Sequence, residues 1–158
     1  MKTRAKDFWI GALGGFVVLA GVIQFFRPAR TNPPETPGHA LEDTVRVPLQ
    51  VEAILTRSCD DCHSDRTIWP WYTNVAPISW FIVHHVNGGR RHLNFSEWIR
   101  PDVQDPVHYT QQKFQSACKE VQNGGMPLSS YLLIHRDARL SAEDVRTICQ
   151  WAAGGIGP

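Results

Sequence analysis

In the stretch "CDDCHSDRTIWPWY", residues 59–72, Cys59, Cys62 and His63 fall within five positions, and the large aromatics Trp69, Trp71 and Tyr72 follow at once. Thiols three positions apart on one helical turn reach the two vinyl groups of a haem, and the next residue turns its imidazole toward the iron. Cys-x-x-Cys-His is therefore the attachment signature of a c-type haem. A Cys-x-x-Cys pair alone also serves as a redox dithiol or as half of a zinc site. Zinc needs two more ligands at matching spacing, and the other cysteines, Cys118 and Cys149, are isolated singles. The adjacent histidine selects haem attachment: one covalent haem c, with His63 on the iron.

A haem iron has a second axial position. Apart from the initiator the chain has one methionine, Met126, in "NGGMPLSSY". Glycines before it free the backbone to approach a macrocycle, and Pro127 stiffens the segment. A thioether there raises the reduction potential relative to a second imidazole. The alternatives are His85 as the ligand, an open or water-bound iron, or a Met126 that only fills a gap in the core. Of the aromatics, Trp69, Trp71, Tyr72 and Trp80 are candidates to pack the haem edge or to offer an N–H or O–H to a propionate. Arg90 and Arg91 are either propionate partners or solvated loop arginines. His84, His92, His108 and His135 read as surface or hydrogen-bonded residues.

These groups need a scaffold and a location. The chain has 158 residues with 42% apolar content, enough for one folded unit with an appendage. Its 16 basic and 15 acidic residues give a formal charge of +1, without the basic field that nucleic-acid binding requires. From Phe8 to Phe26 the only polar side chain is Gln24, and a helix over this run is about 28 Å long, close to the bilayer hydrocarbon. It ends in Gln-Phe-Phe-Arg rather than an Ala-x-Ala-like site, so residues 1–27 read as an uncleaved transmembrane anchor, not a cleaved signal peptide. Lys2, Arg4 and Lys6 precede the run and favour a cytoplasmic N-terminus, with the remainder on the periplasmic face of a bacterial inner membrane. Gly11 and Gly15 either admit a neighbouring helix or reflect ordinary glycine use in membrane helices. Residues 28–48 hold five of the eleven prolines and read as a semi-extended linker with a reach of about 60 Å. The haem domain is then 49–158.

Within that domain the apolar spacing predicts four helices and no strand, hence an all-α fold. Leu49–Arg57 turns Val51, Ile54 and Leu55 inward and leads into the haem motif. A second helix opens at Pro77, with Ile78, Phe81, Ile82 and His85 on one face and Gly88-Gly89 as its stop. The third runs from Thr110 to Asn123, carrying Phe114, Ala117, Cys118 and Val121, and ends at Gly124. Ser141 caps the fourth, which carries Val145, Ile148, Cys149 and Trp151.

Two longer strings, "CDDCHSDRTIWPWYTNVAPISWFIVHHVNGGRRHLNFSEW" and "CKEVQNGGMPLSSYLLIHRDARLSAEDVRTICQWA", resemble the bacterial haem-binding domain family of single-haem, cytochrome-c-like proteins. The resemblance covers roughly 49–154. It implies a cytochrome-c-like helical haem domain outside the cytoplasm, with first and last helices that cross. The expected role is electron transfer rather than catalysis, between a redox donor and acceptor or within a respiratory or photosynthetic complex, with no nucleic acid and no small-molecule substrate. The rival is a haem enzyme or gas or peroxide sensor with an open distal site; a purely scaffolding haem is a third reading.

Cys118 and Cys149 lie on inward faces of two predicted helices, and in an oxidising compartment such thiols bridge; the alternative is two buried free thiols. Mass measurement with alkylation before and after reduction checks this, and neither residue is expected to alkylate in the unreduced protein.

Overall fold

The computed structural model describes residues 2–154, which form helices and connecting segments without a strand among them. They divide into two compact units, 2–31 with 69–85 and 32–68 with 86–154.

In the first unit, helix α1 (Lys2–Ile23) runs into a 3₁₀ turn, Gln24–Phe26. Lys6–Phe26 is long and apolar enough to cross a membrane, and none of it is buried by protein. The segment after Trp69 is hydrogen-bonded to the end of this helix. The Gln24 amide donates to the Ala76 carbonyl (3.1 Å) and accepts the Ala76 N–H (2.9 Å). Arg27 donates to the Asn74 carbonyl (2.6 Å), Arg30 to the Thr73 hydroxyl (3.1 Å), and the Trp80 indole to the Phe26 carbonyl (2.8 Å). A single polar residue in an apolar run thus spends its amide on backbone groups that have little water to turn to.

The second unit holds the short helix α2 (Leu41–Thr44), α3 (Leu49–Ser58) and the single turn α4 (Asp60–His63). Helix α5 (Ile78–His92) begins in the first unit and ends in the second. Then come α6 (Pro106–Gln122), α7 (Ser129–Leu132) and α8 (Ala142–Gly154). The core is built on Leu41, Val45, Phe95, Trp98, Phe114 and Ala152, with Leu55, Cys59 and Cys118 packed against it. Trp98 is its centre: the ring stacks near Phe95 and Phe114, and its indole N–H is satisfied by the buried Thr110 hydroxyl at 3.0 Å. Helices α6 and α8 are joined by a disulfide between Cys118 and Cys149. Helices α3 and α8, the first and last of the predicted four, pack together, and Arg57 pairs with Asp144 across them at 3.1 Å.

Three boundaries differ from the sequence reading. Residues 32–48 are part of the packed unit, not a free linker. Leu41 and Val45 are buried, Trp98 donates its backbone N–H to the His39 carbonyl, and Glu35 accepts from Ser96 and Arg66. These attachments are single and aperiodic, so no spacing rule reports them. Helix α5 passes through Gly88 and Gly89 instead of stopping there. Its inward residues are Ser79, Val83 and Val86, whereas Ile78 and Phe81, placed inside by periodicity, are exposed. Finally, α6 starts one turn early because the Asp105 carboxylate accepts the His108 N–H at 3.0 Å and Pro106 occupies the first turn.

Arg90, read from sequence as a propionate partner or a solvated loop arginine, lies on α5 rather than in a loop, its side chain 10% exposed. It pairs with Asp65 at 3.3 Å and donates to the Ser64 carbonyl and the Thr67 hydroxyl, each at 2.8 Å. Asp65 is 5% exposed and also accepts from Asn94 at 3.2 Å. Removing one partner strands the other charge. Arg90→Ala is expected to lower unfolding free energy by about 3–5 kcal/mol in chemical denaturation.

Candidate functional site

Helix α3 ends at Cys59, whose backbone (φ −128°, ψ −39°) breaks the helix and starts the next turn. The Cys59 carbonyl then accepts the N–H of Cys62 (3.1 Å) and of His63 (2.9 Å), winding α4 into one closed turn. Both thiols and the imidazole therefore come from one short run of backbone with fixed geometry. With Cys118 and Cys149 joined, Cys59 and Cys62 are the free cysteines.

The imidazole is held from behind. His63 Nδ1 lies 3.2 Å from the Gly89 carbonyl and 3.0 Å from that of Leu93, so Nδ1 carries the proton and donates. The neutral tautomer that results leaves the Nε2 lone pair for a metal, and Nε2 has no hydrogen bond among the described residues. Burial depresses the His63 pKa against the pull of the two carbonyls, which keeps the ring neutral. The His63 carbonyl accepts the Phe95 N–H at 2.7 Å, so backbone and ring are both fixed.

Gly89 explains how α5 comes so close. A Cβ at that position would stand 3.2 Å from the Cys62 Cβ and closer still to the Cys62 carbonyl oxygen, which no ordinary contact tolerates. The glycine that looked like a helix stop is the point where helix and haem motif touch.

Asp61, between the two cysteines, ties the turn to two further segments. Its carboxylate accepts the Ile68 N–H (3.1 Å) and the Tyr131 hydroxyl (2.7 Å), while its carbonyl accepts from Thr67 (2.8 Å). Burial, and then the bond to Asp61, hold the Tyr131 phenol well above its usual pKa, so it remains a donor. Tyr131 is in α7, five residues beyond Met126. Met126 itself is half-buried in the turn after α6, where Gly124 takes the left-handed conformation (φ +69°) and the Met126 N–H bonds to the Glu120 carbonyl at 3.3 Å.

The thiols are protonated at neutral pH. Burial pushes Cys59 up to about 12 and Cys62 up to about 11, with neighbouring Asp60 and Asp61 adding to it. A redox dithiol works through a lowered pKa, and a zinc site binds thiolate. No group of three or more His, Cys, Asp or Glu able to hold a metal ion occurs among the described residues. Two half-buried thiols stand one turn apart beside an imidazole whose Nε2 has no hydrogen bond among the described residues.

The profile of a family described as haem-binding domain matches residues 18–154. This chain belongs to the haem-binding domain family. No curated protein and no solved structure matches it. The haem-binding domain match begins inside α1 and takes in 32–48, consistent with the packing of that segment.

The residues fit the group. His63 Nε2 would hold iron, and Cys59 and Cys62 have the spacing and protonation for thioether bonds. Uncovered apolar side chains follow the motif and Tyr131 in sequence: Ile68 (76% exposed) after the first, and Leu133 (76%) and Ile134 (65%) after the second. Trp69, Trp71, Tyr72 and Trp80 lie in the first unit, as does His85, whose Nδ1 bonds to the Phe81 carbonyl of its own helix at 2.8 Å. Sequence reasoning passed over Asp61, Tyr131 and Asp65 and read Gly89 only as a helix stop. The only available signal was composition: a charged residue inside Cys-x-x-Cys, and a glycine in a stretch that otherwise continues as helix.

Gly89→Ala is expected to cut the haem-to-protein absorbance ratio several-fold. Gly88→Ala, whose nearest new neighbour is Arg91 Nη2 at 3.9 Å, should leave the ratio unchanged.

Proposed function

We propose that this haem-binding domain protein is a membrane-anchored monohaem c-type cytochrome that transfers electrons. Cys59 and Cys62 would carry the thioether links, and His63 and Met126 would hold the iron. Haem so held supplies a one-electron couple. The residues do the rest: the end of α5 and the residue after it fix the imidazole through the Gly89 and Leu93 carbonyls, and Asp61 fixes the turn.

The observation that carries the reading is the orientation of His63, with a protonated Nδ1 and an unengaged Nε2. Support for Met126 is the Tyr131–Asp61 bond, which ties the loop containing the methionine to the haem motif. His85 is one turn before Gly89 on the helix that backs His63, and it is the alternative ligand. An occupied sixth position leaves no site for peroxide or a gas, which favours an electron carrier over a haem enzyme or sensor.

The apolar helix Lys6–Phe26 is the proposed single-pass anchor in a bacterial inner membrane, with Lys2, Arg4 and Lys6 on the cytoplasmic side and the haem domain in the periplasm. A redox donor and acceptor, or the other subunits of a respiratory or photosynthetic complex, are the proposed partners.

Visible spectra of the full-length protein test the axial ligands. A low-spin reduced spectrum is expected, and Met126→Ala should abolish the weak far-red sulfur-to-iron band of the oxidised form. Retention of that spectrum moves the ligand to His85, to be checked with His85→Ala. Haem that extracts into acidified organic solvent would overturn covalent attachment.

A further inference from the structure

We propose that residues 69–85 form a foot in the lipid interface, its uncovered aromatic and aliphatic side chains lying in the headgroup boundary of the bilayer that α1 crosses. The inference rests on the reading of α1 as membrane-spanning and adds a second, non-spanning lipid contact.

Depth is set by hydrogen bonds. Ala76, Asn74, Thr73 and Trp80 are bonded to Gln24, Arg27, Arg30 and Phe26. Those partners are where the apolar run ends. A helix of about twenty residues spans the hydrocarbon, so whatever is bonded to its last turn sits at the hydrocarbon edge.

Composition agrees with that depth. From Trp69 to His85 there is no Asp, Glu, Lys or Arg. The segment still leaves Trp71 77%, Phe81 52%, Ile78 45% and Trp80 40% exposed, beside Phe25 at 88% on the end of α1. In water this is a costly patch. At an interface it is favourable, because tryptophan prefers the headgroup level, and Trp80 arrives with its N–H already satisfied.

Charge is placed to match. Arg27 and Arg30 line a cleft of about 370 Å³ together with Phe25 and Thr73, and no acidic residue contributes to it. Two guanidiniums at the hydrocarbon edge fit the phosphates of phospholipid headgroups.

The test uses the full-length holoprotein in nanodiscs of phosphatidylcholine and phosphatidylglycerol doped with a phosphatidylcholine whose diazirine is near the glycerol end of its acyl chain. Trypsin isolates the foot as Thr67–Arg90, the spanning helix as Asp7–Arg30 because Pro28 protects the bond after Arg27, and Glu120–Arg136 as a control. Lipid adducts are expected on both of the first two peptides, at about tenfold the control. Adducts on 7–30 with 67–90 at control level overturn the foot and leave the anchor standing. Control-level adducts on both overturn the anchor reading and the foot with it. Trp71→Ser should lower adducts on 67–90 and leave those on 7–30 unchanged.

Discussion

The Nδ1–H of His63 lies between the carbonyl oxygens of Gly89 and Leu93, and most of the second unit is arranged so that this contact can exist. It requires α5 to extend past two glycines to His92. It requires position 89 to lack a side chain, because the Cys62 backbone occupies that space. It requires the chain after His63 to be clamped to the same helix, and the Arg90 guanidinium does this through Asp65, Ser64 and Thr67. A histidine ligand is only as well placed as the group behind it. Here that group is helix backbone, which rotates less readily than a side-chain carboxylate would.

The electrostatics of the turn also bear on the chemistries that share this motif. A Cys-x-x-Cys pair in an electropositive, open turn becomes thiolate and then a redox or metal site. In this chain burial and two flanking carboxylates keep both thiols neutral. The half-buried histidine donates through Nδ1 and leaves Nε2 without a hydrogen bond among the described residues. The same short turn thus holds neutral thiols and a neutral imidazole.

Much of this was legible from residue order. Helix α8 follows from Ser141, since its hydroxyl and the Asp144 carboxylate cap each other's backbone N–H. Cys118 and Cys149 read as a bridge because each falls on the inward stripe of a helix. Periodicity failed where side-chain type misleads. On α5 it counted Ile78 and Phe81 as core, whereas Ser79, Val83 and Val86 are the buried residues. Glycine was read as a terminator by its conformational freedom, but at position 89 what matters is its missing volume. The segment 32–48 looked like a tether because proline density is visible in a sequence, and the lone contacts of Glu35, His39 and Leu41 are not.

At the end of α5 the Gly89 carbonyl accepts the Leu93 N–H at 2.8 Å, and the His63 imidazole donates to that carbonyl and to the Leu93 carbonyl just past the helix. One side chain therefore meets the end of a helix with one nitrogen, and its other nitrogen has no hydrogen bond among the described residues. Were Nε2 to bind iron, thermodynamic reciprocity would apply: whatever free energy the ordered end of α5 lent to that binding, bound iron would return to the order of that helix end. Helix order and cofactor occupancy would then be two readings of one equilibrium.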